Sequence, residues 1–396
     1  MTRPSQLYAW ADTVSRHLPH LSKPVAFALA LWSFGMVLAH SCGLDSVALV
    51  LAPLLGCSDN TARQRLREFY QPKEAKAGSH RRELDPTTCF VPLLRWVTTG
   101  WTTHRLVLAL DVTNLGSRFR VLAISVVVRG CGIPVAWTIQ TASEKGAWNP
   151  LWDDLLGRLR DAVPNDWQVL ALTDRGLESA QLFRSITACG WHPLMRVKGA
   201  GTFRPTGWHR YHPMKQFAAR LGADYRGAGQ AYATAAPPLP CTLLAVWSAG
   251  HEQAWLLLTD LAPAQANPCW YAYRAWIEQN FKVFKSAGWQ WQRTRMQEAE
   301  RAGRVWLALA VATWWLVSVG GAAEDRVLPE TLPELRREQQ RQRPPRRHRV
   351  FRQGLALLLA ALVSGSNVPS GHITPEQWPE PNPEITTVTE QEFTFK

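Results

Sequence analysis

The pattern of apolar and polar positions divides the chain into segments of different character. Residues 1–97 lack the alternation of a half-buried strand and favour helices, whereas residues 98–198 contain several short, β-rich apolar runs. Gly, Pro, Trp and basic residues dominate 199–252, and β-rich and helical patterns return over 253–325. We therefore predict a helical N-terminal domain, an α/β core in two parts, and a partly β insertion subdomain between the two parts.

The first part of the core predicts the element order β-β-β-α-β-α-β, with the first three strands as a meander. The predicted strands are Leu106–Leu110, Arg120–Val128, Pro134–Gln140, Trp167–Thr173 and Pro193–Lys198, and the predicted helices are Asn149–Ala162 and Ser179–Ala188. A turn is predicted at Arg129–Gly132, and a later β-hairpin from Thr242–Trp247 and Gln253–Thr259. This is the order of an RNase H-like fold, whose remaining element is a long helix.

That long helix is predicted at Tyr271–Lys285, where polar residues recur at helical spacing. Tyr271, Arg274, Glu278 and Lys285 stand at offsets 0, 3, 7 and 14, and at about 100° per residue they lie in a stripe about 60° wide. One interpretation is a solvated face with an Arg274–Glu278 ion pair. The other is a catalytic carboxylate that has phosphate-binding donors on both sides of it.

Two aspartates, Asp111 and Asp174, directly follow predicted apolar strands. Each alone could be a turn cap, but the carboxyl ends of adjacent strands are where sites assemble in open sheets. With Glu278 they would form an oxygen-only set that suits Mg²⁺ or Mn²⁺ rather than zinc. Two such ions about 4 Å apart could promote hydrolysis or transfer of a phosphodiester.

These motifs resemble the DDE transposases of bacterial insertion sequences, specifically the insertion-sequence-four group with its Y-x2-R-x3-E-x6-K signature. The spacing of Tyr271, Arg274, Glu278 and Lys285 matches that signature, and the resemblance covers about residues 98–320. It implies that Asp111, Asp174 and Glu278 are the catalytic metal ligands. It also implies that Tyr271, Arg274 and Lys285 hold phosphates of the transposon end, and that the region before the glutamate is a β-rich insertion. The chain departs from the family at Gly176, where many members have a glutamate.

Charge and cysteine content agree with a DNA-binding protein of a reducing compartment. Lys and Arg number 44 against 31 acidic residues, so the net charge is +13 and favours a polyanionic partner, although a basic soluble protein remains the alternative. The 7 scattered cysteines predict buried thiols rather than disulfides or zinc ligands. No apolar signal segment is visible, so we expect the bacterial cytoplasm, on the nucleoid. The apolar runs Val25–Ala39 and Val305–Ala323 are expected to be core helices, with no membrane partner.

Further DNA contacts are predicted outside the core. Residues 46–70 resemble a helix-turn-helix whose second helix carries Arg63, Arg65 and Arg67, the alternative being a plain helical hairpin. Trp247 and Trp255 are either a platform for a flipped base or part of the insertion core. Within 326–396, the arginine run Arg336–Arg352 is a backbone contact or a solvated linker, Leu355–Val363 is a short helix, and the tail from Ser364 is predicted to be disordered.

The hypothesis that follows is an active DNA transposase. It would use Mg²⁺ or Mn²⁺ to cut double-stranded DNA at terminal inverted repeats and join the 3′-hydroxyls to target DNA, working as a dimer assembled on DNA. Two alternatives remain at this point. One is an RNase H-like nuclease or resolvase, and the other is a catalytically inactive, transposase-derived DNA-binding protein.

Overall fold

The computed structural model describes residues 5–76, 82–144, 146–234, 237–327, 350–369, 371–381 and Glu390. It is a mixed α/β protein with one large sheet flanked by helices. The strands are β1 (Arg105–Leu115), β2 (Phe119–Val128), β3 (Cys131–Thr141), β4 (Gln168–Thr173), β5 (His192–Arg196), β6 (Thr202–Pro205), β7 (His212–Pro213), β8 (Asp224–Ala231), β9 (Leu239–Val246) and β10 (Trp255–Thr259).

The ten strands form a single sheet in the order β3-β2-β1-β4-β5-β10-β9-β8-β6-β7. The first three strands are the predicted antiparallel meander, and β4 and β5 run parallel to β1. The predicted hairpin is also present as the antiparallel pair β9–β10. Because β10 pairs with β5 as well as β9, the strands of the predicted insertion extend the core sheet rather than forming a sheet of their own.

Ten α-helices occur in the described residues. They are α1 (Ser5–His17), α2 (Lys23–Ala39), α3 (Leu44–Leu55), α4 (Asp59–Tyr70), α5 (Phe90–Val97), α6 (Asn149–Arg160), α7 (Ala180–Ala188), α8 (Ala275–Lys282), α9 (Ala299–Val327) and α10 (Val350–Val363). Ser58 caps α4 by accepting a hydrogen bond from the backbone N–H of Thr61.

Helix α9 is the apolar centre of the helical layer. It is long and apolar enough to cross a bilayer, but its apolar window is entirely buried inside the fold, as expected of a core helix. Gly320 does not break it. A Cβ atom at Gly320 would lie 2.1 Å from the carbonyl oxygen of Val350, and one at Gly354 would lie 1.9 Å from that of Leu316. The two glycines therefore allow α9 and α10 to pack backbone against backbone.

The N-terminal helices share a core with α9. Trp10 of α1 stacks on Trp315 at 3.9 Å between ring centroids. The buried Arg304 of α9 donates hydrogen bonds to the backbone carbonyls of Tyr70 (2.8 Å) and Leu84 (3.0 Å) and pairs with Glu83. The N-terminal region is therefore fixed to the rest of the protein by a buried cation as well as by apolar packing.

The C-terminal tail is not disordered throughout, and the prediction from Ser364 onward is wrong for residues 371–381. We call this segment the C-terminal strap. Its Ile373 and Trp378 are buried, and Trp378 lies against Trp270 with 5.4 Å between the ring centroids. Its backbone carbonyls also accept hydrogen bonds from Asn267 and Arg129. The strap thus obtains its order from contacts with the core. Most of the arginine run lies outside the described residues.

The cysteines agree with the sequence only in part. None of the seven forms a disulfide, and four are buried, but Cys57 and Cys189 are half-buried and Cys269 is exposed.

Candidate active site

The register between β1 and β4 brings the two aspartates side by side. The parallel pairing of these strands ends at Leu110 and Thr173, so Asp111 and Asp174 occupy the next position on each strand. The prediction that β1 ends at Asp111 is wrong, because β1 continues to Leu115 through its pairing with β2. The pairing of β1 with β4 does stop before Asp111, and the two strands part there and leave space for a site.

The two aspartates also hold their own backbones. Asp111 Oδ1 accepts a hydrogen bond from the N–H of Val112 at 2.8 Å, and Asp174 Oδ1 accepts one from the N–H of Gly176 at 2.8 Å. Asp174 thereby caps a short 3₁₀ turn, which was the simpler interpretation of a strand-end aspartate. In each residue the Oδ2 atom faces the site, so an aspartate can hold its own backbone through Oδ1 and still contribute Oδ2 to the site.

The predicted long helix Tyr271–Lys285 is wrong as a single α-helix. Residues Pro268–Arg274 are 3₁₀, α8 follows, and Val283–Ala287 form a π-helical turn. Three residues complete a turn of a 3₁₀-helix, so Tyr271 and Arg274 still lie on one face. The π turn rotates Lys285 relative to a regular helix, yet Lys285 remains close enough to Asp111 for the carboxylate to act on its charge.

Arg274 occupies the centre of the three carboxylates. Its Nη2 atom lies 2.9 Å from Asp111 Oδ2 and 3.5 Å from Asp174 Oδ2, and its Nη1 atom lies 3.6 Å from Glu278 Oε1. The side chains of Arg274 and Asp111 are only 7% and 11% exposed, whereas those of Asp174 and Glu278 are 42% and 62% exposed. The site is thus deep at Arg274 and Asp111 and open to solvent at Glu278.

Burial shifts the acid–base properties of the site. Desolvation raises the pKa of Asp111 to about 6, against the opposing effect of Arg274 and of the hydrogen bond from Val112. Burial also raises the pKa of Tyr271 to about 12, so its hydroxyl stays protonated and donates to the carbonyl oxygen of Thr173 at 3.2 Å. The pKa of Lys285 is lowered by burial, and Asp111 opposes that effect.

A cavity of about 310 Å³ opens beside Glu278 and contains two cationic residues that the sequence analysis missed. Arg175 and Arg196 line it together with Asp174, Trp255, Tyr271, Ala272, Arg274 and Ala275. Arg196 ends β5, the parallel neighbour of β4, so a charged residue at the end of an apolar strand was the signal that could have found it.

The other predicted DNA contacts lie in different places. Trp255 lines the cavity and stands edge-on to Tyr271, with 5.4 Å between ring centroids. Trp247 is engaged elsewhere, because its indole N–H donates to the carbonyl oxygen of His251 at 3.0 Å. Arg63, Arg65 and Arg67 lie on α4, away from this cavity, and Arg63 pairs with Asp45 at 2.9 Å.

The donor set fits a hard divalent cation, but the guanidinium of Arg274 now stands between the ligands. Carboxylate oxygens from three elements are the ligands that Mg²⁺ or Mn²⁺ prefers. In the part of the chain that the structure describes, no three His, Cys, Asp or Glu side chains are grouped closely enough to hold a metal ion. Asp111, Asp174 and Glu278 would hold such an ion only after Arg274 has moved.

The region of the chain that contains these carboxylates matches a known protein family. The sequence profile of the transposase DDE domain matches residues 104–315, which include Asp111, Asp174 and Glu278. The chain belongs to the transposase DDE domain family. The transposase DDE domain therefore contains the whole site, whereas helices α1–α5 precede it.

None of the curated proteins matches the chain in sequence. Among solved structures, the cryo-EM structure of a piggyBac transposase synaptic complex with hairpin DNA is similar, with a TM-score of 0.35 and 10% sequence identity. That match covers 88% of this chain and 84% of the other.

Proposed function

We propose that the protein cuts DNA at the ends of an insertion sequence and joins the resulting 3′-hydroxyls to target DNA. The observation that carries this proposal is the convergence of Asp111, Asp174 and Glu278 on one guanidinium beside a cationic, aromatic cavity. Membership of the transposase DDE domain family supports DNA as the substrate. The spacing of Tyr271 and Lys285 around Arg274 and Glu278 supports the insertion-sequence-four-like group.

The order of strands supports an RNase H-like core. An antiparallel meander, β3-β2-β1, is followed in the sheet by the parallel strands β4 and β5. We interpret β6 to β9 as an insertion between the second aspartate and the glutamate, which returns to the core through β10. This assignment makes the edge where β1 and β4 part the catalytic edge of the sheet.

In the proposed reaction, divalent ions held by the three carboxylates supply activation of the attacking water or hydroxyl and stabilisation of the leaving oxygen. The chain's own residues prepare the site for this. Asp111, with its raised pKa, must be ionised to act as a ligand, which favours activity above about pH 6. The cavity cations Arg175 and Arg196 would bind phosphates of the DNA strand, and Trp255 offers an apolar face to a base that leaves the stack.

Recognition of the element's ends is assigned to helices α3 and α4. Arg65 and Arg67 are exposed on α4, on the helix that follows the turn, where bidentate contacts to guanine and contacts to phosphate are both possible. A groove of about 630 Å³ lies between the start of α3 and residues 290–298, and Arg293 and Arg295 line it. We infer that terminal-repeat DNA follows this basic side of the protein, and that two copies assemble on the DNA.

The decisive experiment uses the purified full chain with labelled element-end DNA, Mg²⁺ and a target plasmid. Asp111→Asn, Asp174→Asn and Glu278→Gln should each abolish cleavage and joining while end binding survives, and Asp12→Asn, on the exposed side of α1, serves as the control. Ca²⁺ should support binding with little chemistry. Cleavage at the wild-type rate in any triad variant removes that residue from the site.

The same assay separates the alternatives. Cut ends without any strand joining would indicate the nuclease or resolvase. End binding by the wild-type protein without cutting in Mg²⁺ or Mn²⁺ would indicate an inactive DNA-binding descendant.

Recognition is tested in a second assay with Arg63, Arg65 and Arg67 changed together to Gln. The triple variant should lose its preference for end DNA over random DNA, because contacts to guanine carry the sequence preference. Unchanged discrimination would show that recognition lies elsewhere.

A further inference from the structure

The guanidinium of Arg274 is poorly satisfied in the position that it occupies. It is buried, and only Nη2 makes a close contact, to Asp111 at 2.9 Å. Among the described residues, its buried Nε and Nη1 atoms have no hydrogen-bond partner, since the distance from Nη1 to Glu278 is 3.6 Å. A buried, charged donor without an acceptor is costly, so this position is held by the charge of the carboxylates rather than by hydrogen bonding.

We propose that Arg274 is an internal counter-ion that keeps the three carboxylates closed to divalent cations until a DNA phosphate draws its guanidinium away. The proposal rests on the proposed function and adds a rule for when the site becomes competent. Arg274 and a metal ion compete for the same oxygen atoms of Asp111, Asp174 and Glu278. The guanidinium and a metal ion cannot occupy the space between the three carboxylates at the same time.

The neighbouring cavity supplies a reason for the release. The cations Arg175, Arg196 and Arg274 line it against the two carboxylates Asp174 and Glu278, so its net charge is positive and favours an anion. A phosphate bound there presents several oxygen acceptors, and Arg forms bidentate hydrogen bonds with phosphate. The Nε and Nη1 donors, which have no partner among the described residues, would then gain one.

Competition of this kind couples the two ligands. If a DNA phosphate removes the guanidinium from the carboxylates, DNA raises the affinity for the metal, and the metal raises the affinity for DNA by the same factor. The DNA-free protein would bind divalent cations weakly. Metal-dependent cutting would then be limited to protein that already holds a strand in the cavity.

The first test measures Mn²⁺ binding to the DNA-free protein by loss of the free-ion electron paramagnetic resonance signal. Arg274→Gln should bind Mn²⁺ about 5- to 150-fold more tightly than wild type, the usual range for coupled sites. Arg196→Gln is the matched control, because it removes the same charge from the same cavity and, among the described residues, Arg196 pairs with no carboxylate. It should change the affinity much less.

Thermal unfolding gives a second measurement. Arg274→Gln leaves three carboxylates facing one another, so it should melt below wild type in EDTA and be stabilised more by Mn²⁺ than wild type is. Equal stabilisation of the two proteins by Mn²⁺ would overturn the inference.

The coupling is tested with a pre-cut duplex that carries the element's terminal repeat, with Asp111→Asn used to subtract Mn²⁺ bound by the DNA alone. The duplex should raise the Mn²⁺ affinity of wild type and leave that of Arg274→Gln nearly unchanged. If wild type and Arg274→Gln bind Mn²⁺ equally with and without DNA, the inference fails and the proposed function stands. If Asp111→Asn matches both in every condition, no metal binds at the triad, and the proposed metal chemistry fails with it.

Discussion

Asp111→Asn is expected to make the protein more stable while it abolishes DNA cleavage. The substitution keeps the size of the side chain, and Asn Oδ1 can still accept the hydrogen bond that Val112 now donates. What it removes is a negative charge that is almost fully buried. Burial of the charge destabilises the folded protein and the attraction of Arg274 stabilises it, so the balance of the two decides the sign of the change in the free energy of unfolding.

The structure gives the sign and the size of the effect. The pKa of Asp111 is about 6 in the folded protein against 3.8 for an unperturbed aspartate. At about 1.4 kcal/mol per pKa unit, ionisation of Asp111 destabilises the folded state by about 3 kcal/mol. Because the folded-state pKa is the higher one, the stabilisation by the bound proton is complete below about pH 4 and is lost as the pH rises to about 6.

The assay is urea unfolding in EDTA at several pH values between 4.5 and 8, followed by tryptophan fluorescence. The free energy of unfolding of Asp111→Asn should exceed that of wild type by up to about 3 kcal/mol at pH 8, and the difference should shrink by about 1.4 kcal/mol per pH unit below pH 6. Asp12→Asn should show neither effect. A variant that is no more stable than wild type at pH 8, or a difference that does not change with pH, would refute the reasoning.

Three other substitutions test separate parts of the structure. Trp255→Ala should slow formation of a DNA hairpin at the cut end while sparing the first nick, whereas Trp247→Ala should form the hairpin at the normal rate. Denaturing gels of end-labelled DNA would measure both steps. The prediction fails if the two variants behave alike or if wild type forms no hairpin. Arg304→Met should lower the free energy of unfolding by about 3 kcal/mol, because it leaves buried carbonyls and Glu83 without their partner. A loss below about 1 kcal/mol in urea titrations would show that Arg304 does not fix the N-terminal region to α9. Trp378→Ala should release the C-terminal strap and increase its cleavage by added protease, whereas an unchanged digestion pattern would show that Trp378 is not what holds the segment.

The sequence predicted those parts of the fold that depend on local patterns. Apolar runs mark β1, β2 and β4 because each strand is largely buried on both faces. The proximity of the two aspartates was predictable because each directly follows an apolar run, and such runs in adjacent parallel strands finish at the same edge of the sheet. The bounds of β1 were missed because pairing with β2, a contact across the meander, extends it beyond Asp111.

Contacts between distant segments could not be predicted. The strap has few apolar residues, and Trp378 and Ile373 are too far apart to give a periodic signal, so its composition alone indicated disorder. The 3₁₀ and π turns around α8 leave no signal in the spacing of the polar residues, which fits one continuous α-helix. The position of Arg274 depends on three elements that meet only in the folded protein, and spacing along the chain indicated a pair with Glu278 but not contacts with both aspartates.

The continuity of the ten-stranded sheet limits how this protein can handle its substrate. Because β10 is hydrogen-bonded to β5 on one side and to β9 on the other, the insertion could swing relative to the catalytic edge only by breaking a ladder of backbone hydrogen bonds. The distance from Trp255 to Asp174 is therefore fixed by the sheet. In the proposed reaction, a strand that is nicked, folded back and joined to another duplex would have to bend to fit that distance, so the bending energy of the DNA, rather than a movement of the protein, would set the barrier between successive steps.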